Sequence, residues 1–144
     1  KNVVACFPAD GGDTSHGYGA PVKAGWWNES EFVSPLSEEC ERRFKFTWSG
    51  RISADPENHA SALKTIEVLK LDSPNLVKLR KARILSFFGL SANPRNKVKA
   101  LSIKQAQIAL EKIEERDTEG QYMEYSFVLK QLLPGFIATG GANK

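Results

Sequence analysis

Apolar residues recur every three or four positions over much of the chain, which is the spacing of one face of an α-helix. Four stretches show this rhythm: 36–44, 63–69, 103–113 and 122–132. Residues 44–52 instead alternate apolar and polar side chains, which fits either a short strand or an extended linker. The pattern therefore predicts a helical protein with one segment whose structure it leaves open.

Pairs of a helix-capping residue and a proline divide the chain at fairly regular intervals. The cap side chain can accept a hydrogen bond from a free backbone N–H, and a proline in the first turn removes no needed donor. The four pairs are Ser34-Pro35, Asp55-Pro56, Ser73-Pro74 and Asn93-Pro94. A fifth helix start is predicted at Thr118, because Thr118 and Gln121 have the spacing of a capping box.

Two glycine-containing sites predict helix ends. Gly89, directly after Phe88, has the position of a C-cap residue, and Pro134-Gly135 is expected to stop the last helix. The resulting fold class is all-α, a small four- to five-helix bundle preceded by an extended glycine-rich N-terminal arm. The expected domains are an arm over 1–33, a helical domain over 34–134 and a C-terminal tail over 135–144.

The arm has a composition that disfavours regular structure. Glycine and proline are frequent there and no periodic apolar pattern is present, so an extended conformation is expected. The arm ends in three large aromatic residues, Trp26, Trp27 and Phe32. Such side chains bury a large apolar area, and we expect them to lie against the protein's own core or against a partner.

The composition is that of an ordinary globular domain, with 144 residues, 41% hydrophobic, 26% charged and a formal net charge of +3. No run of about 18 apolar residues occurs, so no transmembrane segment is predicted. The chain opens at Lys1 and its only methionine is Met123, which is typical of a processed precursor or of a fragment. The expected location is an organelle interior, chloroplast or mitochondrion, with secretion as the alternative.

Secretion would give meaning to two further features. Cys6 and Cys40 are compatible with one disulfide and equally with two separate thiols. Asn28-Glu29-Ser30 is a formal acceptor for N-glycosylation. These features define the alternative of a secreted helical effector with one disulfide.

No residue pattern in the chain predicts a catalytic, cofactor or metal site. Cys6, Asp13 and His16 have the side chains of a nucleophile, an orienting group and a base, but no rigid scaffold is expected in the arm to hold them together. The two histidines and two cysteines have no metal-ligand spacing. We therefore expect a protein that is not an enzyme and needs no cofactor, although a site assembled from scattered residues would escape such a search.

Charge is strongly segregated along the second half of the chain. The 38 residues 73–110 contain no acidic residue and eight basic ones, whereas 111–126 contains six acidic residues and two basic ones. Lys78 and Lys81 have the spacing of one helix face, as do Lys97 and Lys104, so a coherent basic surface is expected. The predicted partner-binding residues are Lys78, Arg80, Lys81, Arg83, Arg95, Lys97, Lys99 and Lys104, together with Trp26 and Trp27 of the arm.

The helix predicted to start near Pro94 would carry its charges against the helix dipole. Basic residues would occupy its first turns and acidic residues its end, which costs a few tenths to about one kcal/mol for each badly placed charge. Either neighbouring helices neutralise these charges or an external anionic partner does. An acidic protein face, RNA or DNA phosphates and lipid headgroups are the possible anionic surfaces.

These features favour a non-catalytic accessory or linker subunit of a larger assembly, whose partners are other protein subunits. The helical domain would dock by its basic face, and the arm would reach along a neighbouring subunit through Trp26 and Trp27. The alternative is an RNA- or nucleic-acid-binding helical module. Aromatic residues interleaved with the basic ones, which would favour that alternative, are missing from the pattern.

Overall fold

The computed structural model describes residues 28, 30–34, 37–91, 93, 95 and 98–141. In this part of the chain, two short antiparallel strands precede four α-helices. The elements are β1 (Phe44–Phe46), β2 (Ile52–Ala54), α1 (Ala60–Val68), α2 (Pro74–Phe88), α3 (Ile103–Lys112) and α4 (Ser126–Ala138), with one turn of 3-10 helix at Cys40–Arg43 before β1. The predicted all-α fold class is therefore wrong, because a helix-rich chain also forms a β-hairpin.

The hairpin comes from the alternating segment 44–52 and the residues just after it. Every second residue of both strands points to the core: Phe44, Phe46, Ile52 and Ala54. The turn between the strands closes with the Gly50 N–H donating to the Thr47 carbonyl at 2.9 Å. Gly50 has a φ of +84°, a conformation that glycine adopts without a steric penalty and that suits a hairpin turn.

Side chains from other elements cover the outer edges of this small sheet. On α4, the Gln131 amide donates to the Phe44 carbonyl at 2.8 Å and accepts from the Phe46 N–H at 3.0 Å, as a third strand would. Between α1 and α2, Asp72 accepts from the Ile52 N–H at 3.1 Å. An isolated two-stranded hairpin is marginally stable at best, so these contacts are part of what holds it.

One of the predicted helix starts is confirmed. Ser73 caps α2, because its hydroxyl accepts from the Leu76 N–H, and Pro74 is the first residue of the helix. The predicted end of the same helix is confirmed as well, since Gly89 lies just past Phe88 with a φ of +63°. Here the capping residue, the proline and the apolar periodicity coincide in sequence.

Two other predicted starts do not lead directly into α-helices. Ser34-Pro35 precedes turns and then the 3-10 turn at Cys40–Arg43, and Pro35 itself lies outside the described residues. After Asp55-Pro56 the chain turns again, and α1 begins only after His59, whose imidazole accepts from the Ala62 N–H at 3.2 Å. A histidine thus takes the capping role that was predicted for the aspartate.

The start predicted at Asn93-Pro94 lies well before the real one. α3 begins at Ile103, where the Ser102 hydroxyl accepts from the Gln105 N–H and the Gln105 side chain accepts from the Ser102 N–H. This reciprocal capping box satisfies two backbone donors. Residues 98–102 are not helical, and within them the Leu101 N–H donates to the Phe88 carbonyl at the end of α2.

The start predicted at Thr118 is a turn, and the stop predicted at Pro134-Gly135 lies inside α4. Asp117 accepts from two backbone N–H groups of the turn, each at 2.9 Å, which closes a tight loop. α4 continues past Pro134 because Phe136, 4% exposed, packs into the core. Pro134 itself is exposed. Water can therefore reach the carbonyl four residues before it, which a proline cannot hydrogen-bond.

The core lies where the hairpin, α2 and α4 meet. Phe88, Leu129 and Leu133 are fully buried there. Phe46 and Phe127 meet edge to face with ring centroids 5.3 Å apart, a favourable geometry for aromatic pairs. No helix in the described part of the chain is long and apolar enough to cross a membrane.

The last residues of the predicted arm are attached to the helical domain. The Val33 N–H donates to the buried Thr65 hydroxyl at 2.9 Å, and Phe32 packs against the core. Of the three aromatic residues at the end of the arm, Phe32 therefore lies against the protein's own core. Residues 1–27 lie outside the described residues.

Candidate partner-binding surface

α2 carries four of the eight basic residues of segment 73–110, and the structure separates them. At 3.6 residues per turn, Lys78 and Lys81 lie roughly 60° apart on one flank of the helix, whereas Arg83 lies roughly 140° or more from both. Arg80 points into the core instead. Basic residues that are close in sequence thus face three directions, and one flank of α2 holds only two of them.

Arg80 is a structural residue. Its side chain is 3% exposed, and it donates to the Gly50 carbonyl at 2.6 Å and to the Leu71 carbonyl at 2.7 Å. The guanidinium also lies 5.6 Å from the centre of the Phe46 ring and 4.0 Å from the Asp72 carboxylate. Burial lowers the pKa of Arg80 and the charge of Asp72 opposes that shift, but a guanidinium stays charged in proteins. Arg80 therefore joins the hairpin turn to α2 and is not available to a partner.

Asp72, just before the basic segment, is occupied within the molecule. It accepts from the Arg51 Nε at 2.7 Å and from the Ile52 N–H at 3.1 Å. The hydrogen bond to Asp72 is the largest cause of a raised pKa at Arg51. Asp72 therefore neutralises groups of the hairpin and leaves Lys78 and Lys81 without that counterion.

The other four basic residues lie in or near the connection between α2 and α3. Leu101 in this connection donates from its N–H to the Phe88 carbonyl at 2.9 Å, which fixes the connection to the end of α2. Arg95 and Lys99 are exposed in the connection, Lys104 is exposed in the first turn of α3, and Lys97 lies outside the described residues.

The expected conflict with the helix dipole is largely absent, because α3 starts later than predicted. Arg95, Lys97 and Lys99 precede the first residue of α3, and only Lys104 lies in its first turn. Glu114 and Glu115 lie beyond the last helical residue, Lys112, whose positive charge suits a helix C-terminus. The predicted need for a counterion to offset the helix dipole is therefore wrong for these charges.

The ion pairs of the described residues nevertheless leave the two lysines of α2 unpaired. In the acidic segment, Glu114 pairs with Lys130, which also lies 3.6 Å from Glu41. The remaining pairs are Arg43 with Glu39, Arg51 with Asp72, Lys64 with Glu67 and Arg80 with Asp72. No acidic residue in the described part of the chain forms an ion pair with Lys78 or Lys81.

An exposed tryptophan that the sequence did not single out lies beside this flank of α2. Trp48, 41% exposed, occupies the hairpin turn, and its ring centre is 4.7 Å from that of Phe88 and 6.3 Å from that of Phe136. Both phenylalanines are buried, so the indole is supported from the core side and open to solvent. The alternating pattern of 44–52 was the available signal, and it did not distinguish a turn from a strand.

Gly50 brings the hairpin turn onto the flank of α2 that carries Lys81. A Cβ at Gly50 would lie 2.4 Å from the Val77 carbonyl oxygen and 2.9 Å from the backbone nitrogen of Lys81. The close approach requires glycine, and it places the hairpin turn that contains Trp48 against α2 at Lys81. Lys78 lies about one turn before Lys81 on that flank of the helix. We call the surface formed by Trp48, Lys78 and Lys81 the hairpin flank.

Trp26 and Trp27, the predicted partner-binding residues of the arm, lie outside the described residues, so their contacts stay predictions. Cys6, Asp13 and His16, for which no catalytic role is expected, lie outside them as well.

Cys40 is buried, 4% exposed, and forms no disulfide within the described part of the chain. Burial raises the pKa of Cys40 to about 11, with a smaller contribution from the negative charge of Glu41. Because the thiolate is the reactive form of cysteine, this thiol is unreactive near neutral pH. Cys6 lies outside the described residues, so one disulfide and two separate thiols both stay open as alternatives.

The remaining polar candidates have structural roles. Asn28 of the glycosylation tripeptide accepts from the Ser30 N–H at 3.1 Å and from the Ser30 hydroxyl at 2.7 Å, so its side chain closes a turn. His59 is a helix cap. Within the described ranges, no group of three or more His, Cys, Asp or Glu side chains could hold a metal ion.

Comparison with known proteins adds no relative to this picture. The sequence matches no protein-family model and has no significant similarity to a curated protein.

Proposed function

We propose that this protein is a non-catalytic accessory subunit of a larger protein assembly and that it docks through the hairpin flank. The observation that carries the proposal is a half-exposed tryptophan, Trp48, which rests on the buried Phe88 ring in the turn that packs against Lys81. Lys81 and Lys78, about one turn before it, form no ion pair with an acidic residue in the described part of the chain. Tryptophan is enriched among the residues that dominate interface energies. Exposed charges beside such an anchor steer association and select the partner.

The chemistry of the hairpin flank favours an acidic protein face as the partner. Leu85 lies one turn after Lys81 on the same side of α2 and is partly exposed, so apolar surface continues beside the charges. Non-specific binding to nucleic acid depends on many phosphate contacts, on the order of 6–10 in strong cases. With Arg80 in the core and Arg83 on the other side of α2, the flank offers two lysines.

The test is recovery of the native assembly with wild-type protein and with a triple variant, Trp48→Ala, Lys78→Glu and Lys81→Glu. We expect the wild type to co-migrate with a large complex that survives nuclease and to be released at high salt, because salt screens exposed charges. The triple variant should migrate as a free small protein already at low salt. Circular dichroism establishes that its helices remain.

The matched control reverses two exposed lysines elsewhere, Lys45→Glu and Lys70→Glu, which gives the same change in net charge. This control should stay in the complex. Retention of the triple variant at the wild-type level would exclude the hairpin flank as the docking surface. Release of the wild type by nuclease would instead assign the two lysines to nucleic acid, and a free monomer at both salts would contradict an accessory subunit.

The proposed role of the arm adds to this docking. Trp26 and Trp27 would lie along a neighbouring subunit, so Trp26→Ala and Trp27→Ala should weaken docking and leave helicity unchanged. Loss of helicity in these variants would identify the two tryptophans as core residues. An organelle interior as the location likewise stays a prediction.

A further inference from the structure

The connection between α2 and α3 packs tightly against the end of α2. Gly89 is the point of contact, since a Cβ there would lie 2.1 Å from the Lys99 carbonyl oxygen and 2.8 Å from the Ala100 Cα. Just after these residues, the Leu101 N–H donates to the Phe88 carbonyl at 2.9 Å. The backbone of Lys99 is therefore fixed at the end of α2, while the residue itself is exposed.

The same phenylalanine supports the indole of the hairpin flank. Phe88 lies about two turns after Lys81 and on the same side of α2. The Trp48 ring centre is 4.7 Å from that of Phe88, whereas Gly50 in the same hairpin turn lies against the Lys81 backbone. The hairpin turn thus reaches along α2 from Lys81 toward the end of the helix, where the connection is attached.

The attachment point lies on the side of α2 that carries the hairpin flank. Gly89 follows Lys78 by about three full turns, so both have nearly the same direction from the helix axis. At 1.5 Å per residue, the two positions are roughly 17 Å apart along α2. Lys78 and Lys99 therefore mark the two ends of one exposed strip, and the Trp48 indole lies beside it.

The exposed groups at the far end of this strip have the same chemistry as the hairpin flank. Val98 is 49% exposed and adjoins the exposed Lys99. The sequence has no acidic residue between 73 and 110. No acidic residue in the described part of the chain forms an ion pair with Lys99. The strip therefore has an apolar group next to a cation at the far end, as Trp48 lies next to Lys81.

We propose that one acidic segment of a single partner subunit lies along the surface formed by Trp48, Lys78, Lys81, Val98 and Lys99, the docking strip. This extension rests on the proposed function, because the hairpin flank is one end of the strip. A strip with cations at both ends and no carboxylate between them is complementary to acidic groups at both ends of a partner segment. The apolar side chains of the strip fit an apolar residue between those groups.

The length of the docking strip defines the spacing of the acidic groups in the partner. Carboxylates that match roughly 17 Å are about 11 residues apart in a helix and about 5 residues apart in an extended segment. Three lysines remain fewer than the roughly 6–10 phosphate contacts of strong non-specific binding to nucleic acid. An acidic protein segment is therefore the occupant that the strip fits.

Zero-length cross-linking of the native assembly with a carbodiimide tests the docking strip. The reagent joins a lysine amine to a carboxylate in direct contact with it, as an amide. We expect Lys99 and at least one of Lys78 and Lys81 to be joined to carboxylates of one partner subunit, about 5 to 11 residues apart in its sequence. Lys45 and Lys70 are exposed elsewhere and should not be joined to that segment.

The cross-links separate the docking strip from the proposed function. If Lys78 or Lys81 is joined to an acidic segment and Lys99 is joined to another subunit or to none, the docking strip is overturned and the hairpin flank stands. If none of the three lysines is joined to a partner, both are contradicted. Release of the protein by nuclease likewise contradicts both and assigns the lysines to nucleic acid.

A double variant measures the contribution of the far end of the strip. Val98→Asp with Lys99→Glu should lower the fraction retained in the assembly at moderate salt to about half of the wild-type value or less, because like charges then meet the acidic segment. The matched control is Ile108→Asp with Lys112→Glu on α3, where Ile108 is 44% exposed, and it should be retained as the wild type is. Circular dichroism checks that both variants keep their helices. Equal retention of the two double variants overturns the docking strip.

Discussion

Lys70 has a backbone conformation that glycine adopts at lower cost. A residue with a positive φ lies just past the last helical residues of α1, α2 and α4, and the three residues are Lys70 at 50°, Gly89 at 63° and Gly140 at 77°. At the end of α1, Lys70 donates to the Glu67 carbonyl at 3.2 Å and Leu71 to the Ile66 carbonyl at 3.0 Å, the bonds of a Schellman motif. Among these three positions only Lys70 carries a Cβ, which costs roughly 1–2 kcal/mol in the left-handed region.

We expect Lys70→Gly to raise the free energy of unfolding by up to about 1 kcal/mol, because removal of the Cβ strain exceeds the added entropy of the unfolded chain. Urea denaturation measures the change. The control is Lys64→Gly in the middle of α1, where glycine should lower stability by about 1 kcal/mol. Equal losses in both variants would contradict the strain at Lys70.

Arg80 is the residue whose role differs most from the one predicted. We expect Arg80→Ala to lower the free energy of unfolding by about 2–6 kcal/mol, because it leaves the Gly50 and Leu71 carbonyls without their buried donor, at about 1–3 kcal/mol each. Arg80→Lys should also destabilise the protein, since one ammonium does not reproduce the fork of the guanidinium. Lys78→Ala, on the exposed side of α2, should change stability by less than about 0.5 kcal/mol. Similar midpoints for all three variants in denaturant would show that Arg80 is not structural.

At the scale of single elements, helix starts could be predicted where several signals coincide. Ser73-Pro74 stands immediately before the stripe that buries Leu76, and α2 begins there. No periodic apolar residues follow Asn93-Pro94 directly. α3 begins instead after Ser102, and the sequence already contains the capping-box spacing of Ser102 and Gln105. A cap-proline pair therefore predicts a helix only when the following residues have a core to bury.

The start of α3 can be tested with two capping variants. Ser102→Ala should lower the free energy of unfolding by about 1 kcal/mol, because it removes the acceptor for the Gln105 N–H. Asn93→Ala should cost at most about 0.5 kcal/mol, because Asn93 closes only an exposed turn. Thermal unfolding, followed by circular dichroism, measures both changes. A larger loss of stability in Asn93→Ala than in Ser102→Ala would favour the helix start that was predicted at Asn93-Pro94.

The hairpin could not be predicted with certainty because its strands depend on a residue far along the chain. Gln131 bonds the outer edge of β1, so Gln131→Leu should lower the free energy of unfolding by about 1–3 kcal/mol through two unpaired backbone groups. Gln107→Leu, exposed on α3, is the control and should be near neutral. Amide hydrogen exchange at Phe46 should accelerate in Gln131→Leu alone, and unchanged exchange there would contradict the edge contact.

At the scale of the whole molecule, the sequence shows where basic residues lie along the chain. It does not show which of them face solvent and which face the core. The direction of Arg80 is set by carbonyls of Gly50 and Leu71, which belong to other segments. Trp48 becomes a candidate anchor only because the hairpin turn packs against α2 and its indole rests on Phe88. Sequence periodicity describes each element separately, whereas the hairpin flank is a product of contacts between them.

The docking of the hairpin turn on α2 is therefore the contact on which both the fold and the hairpin flank depend. Gly50 and Gly120 have similar φ values, +84° and +77°, but a Cβ would lie 2.4 Å from the Val77 carbonyl at Gly50 and meets nothing within 4 Å at Gly120. Gly120→Ala should cost about 1 kcal/mol of unfolding free energy from backbone strain alone. Gly50→Ala should cost roughly 2–5 kcal/mol, because the turn must also move away from α2.

The same pair of variants separates stability from docking. At temperatures where both remain folded, Gly50→Ala should displace Trp48 from beside Lys81 and weaken association with the native assembly, whereas Gly120→Ala should bind as the wild type does. Urea denaturation and co-migration with the assembly measure the two effects on the same samples. Equal costs in unfolding would contradict the close packing at Val77, and equal binding with unequal stability would show that docking does not need Trp48 in this position.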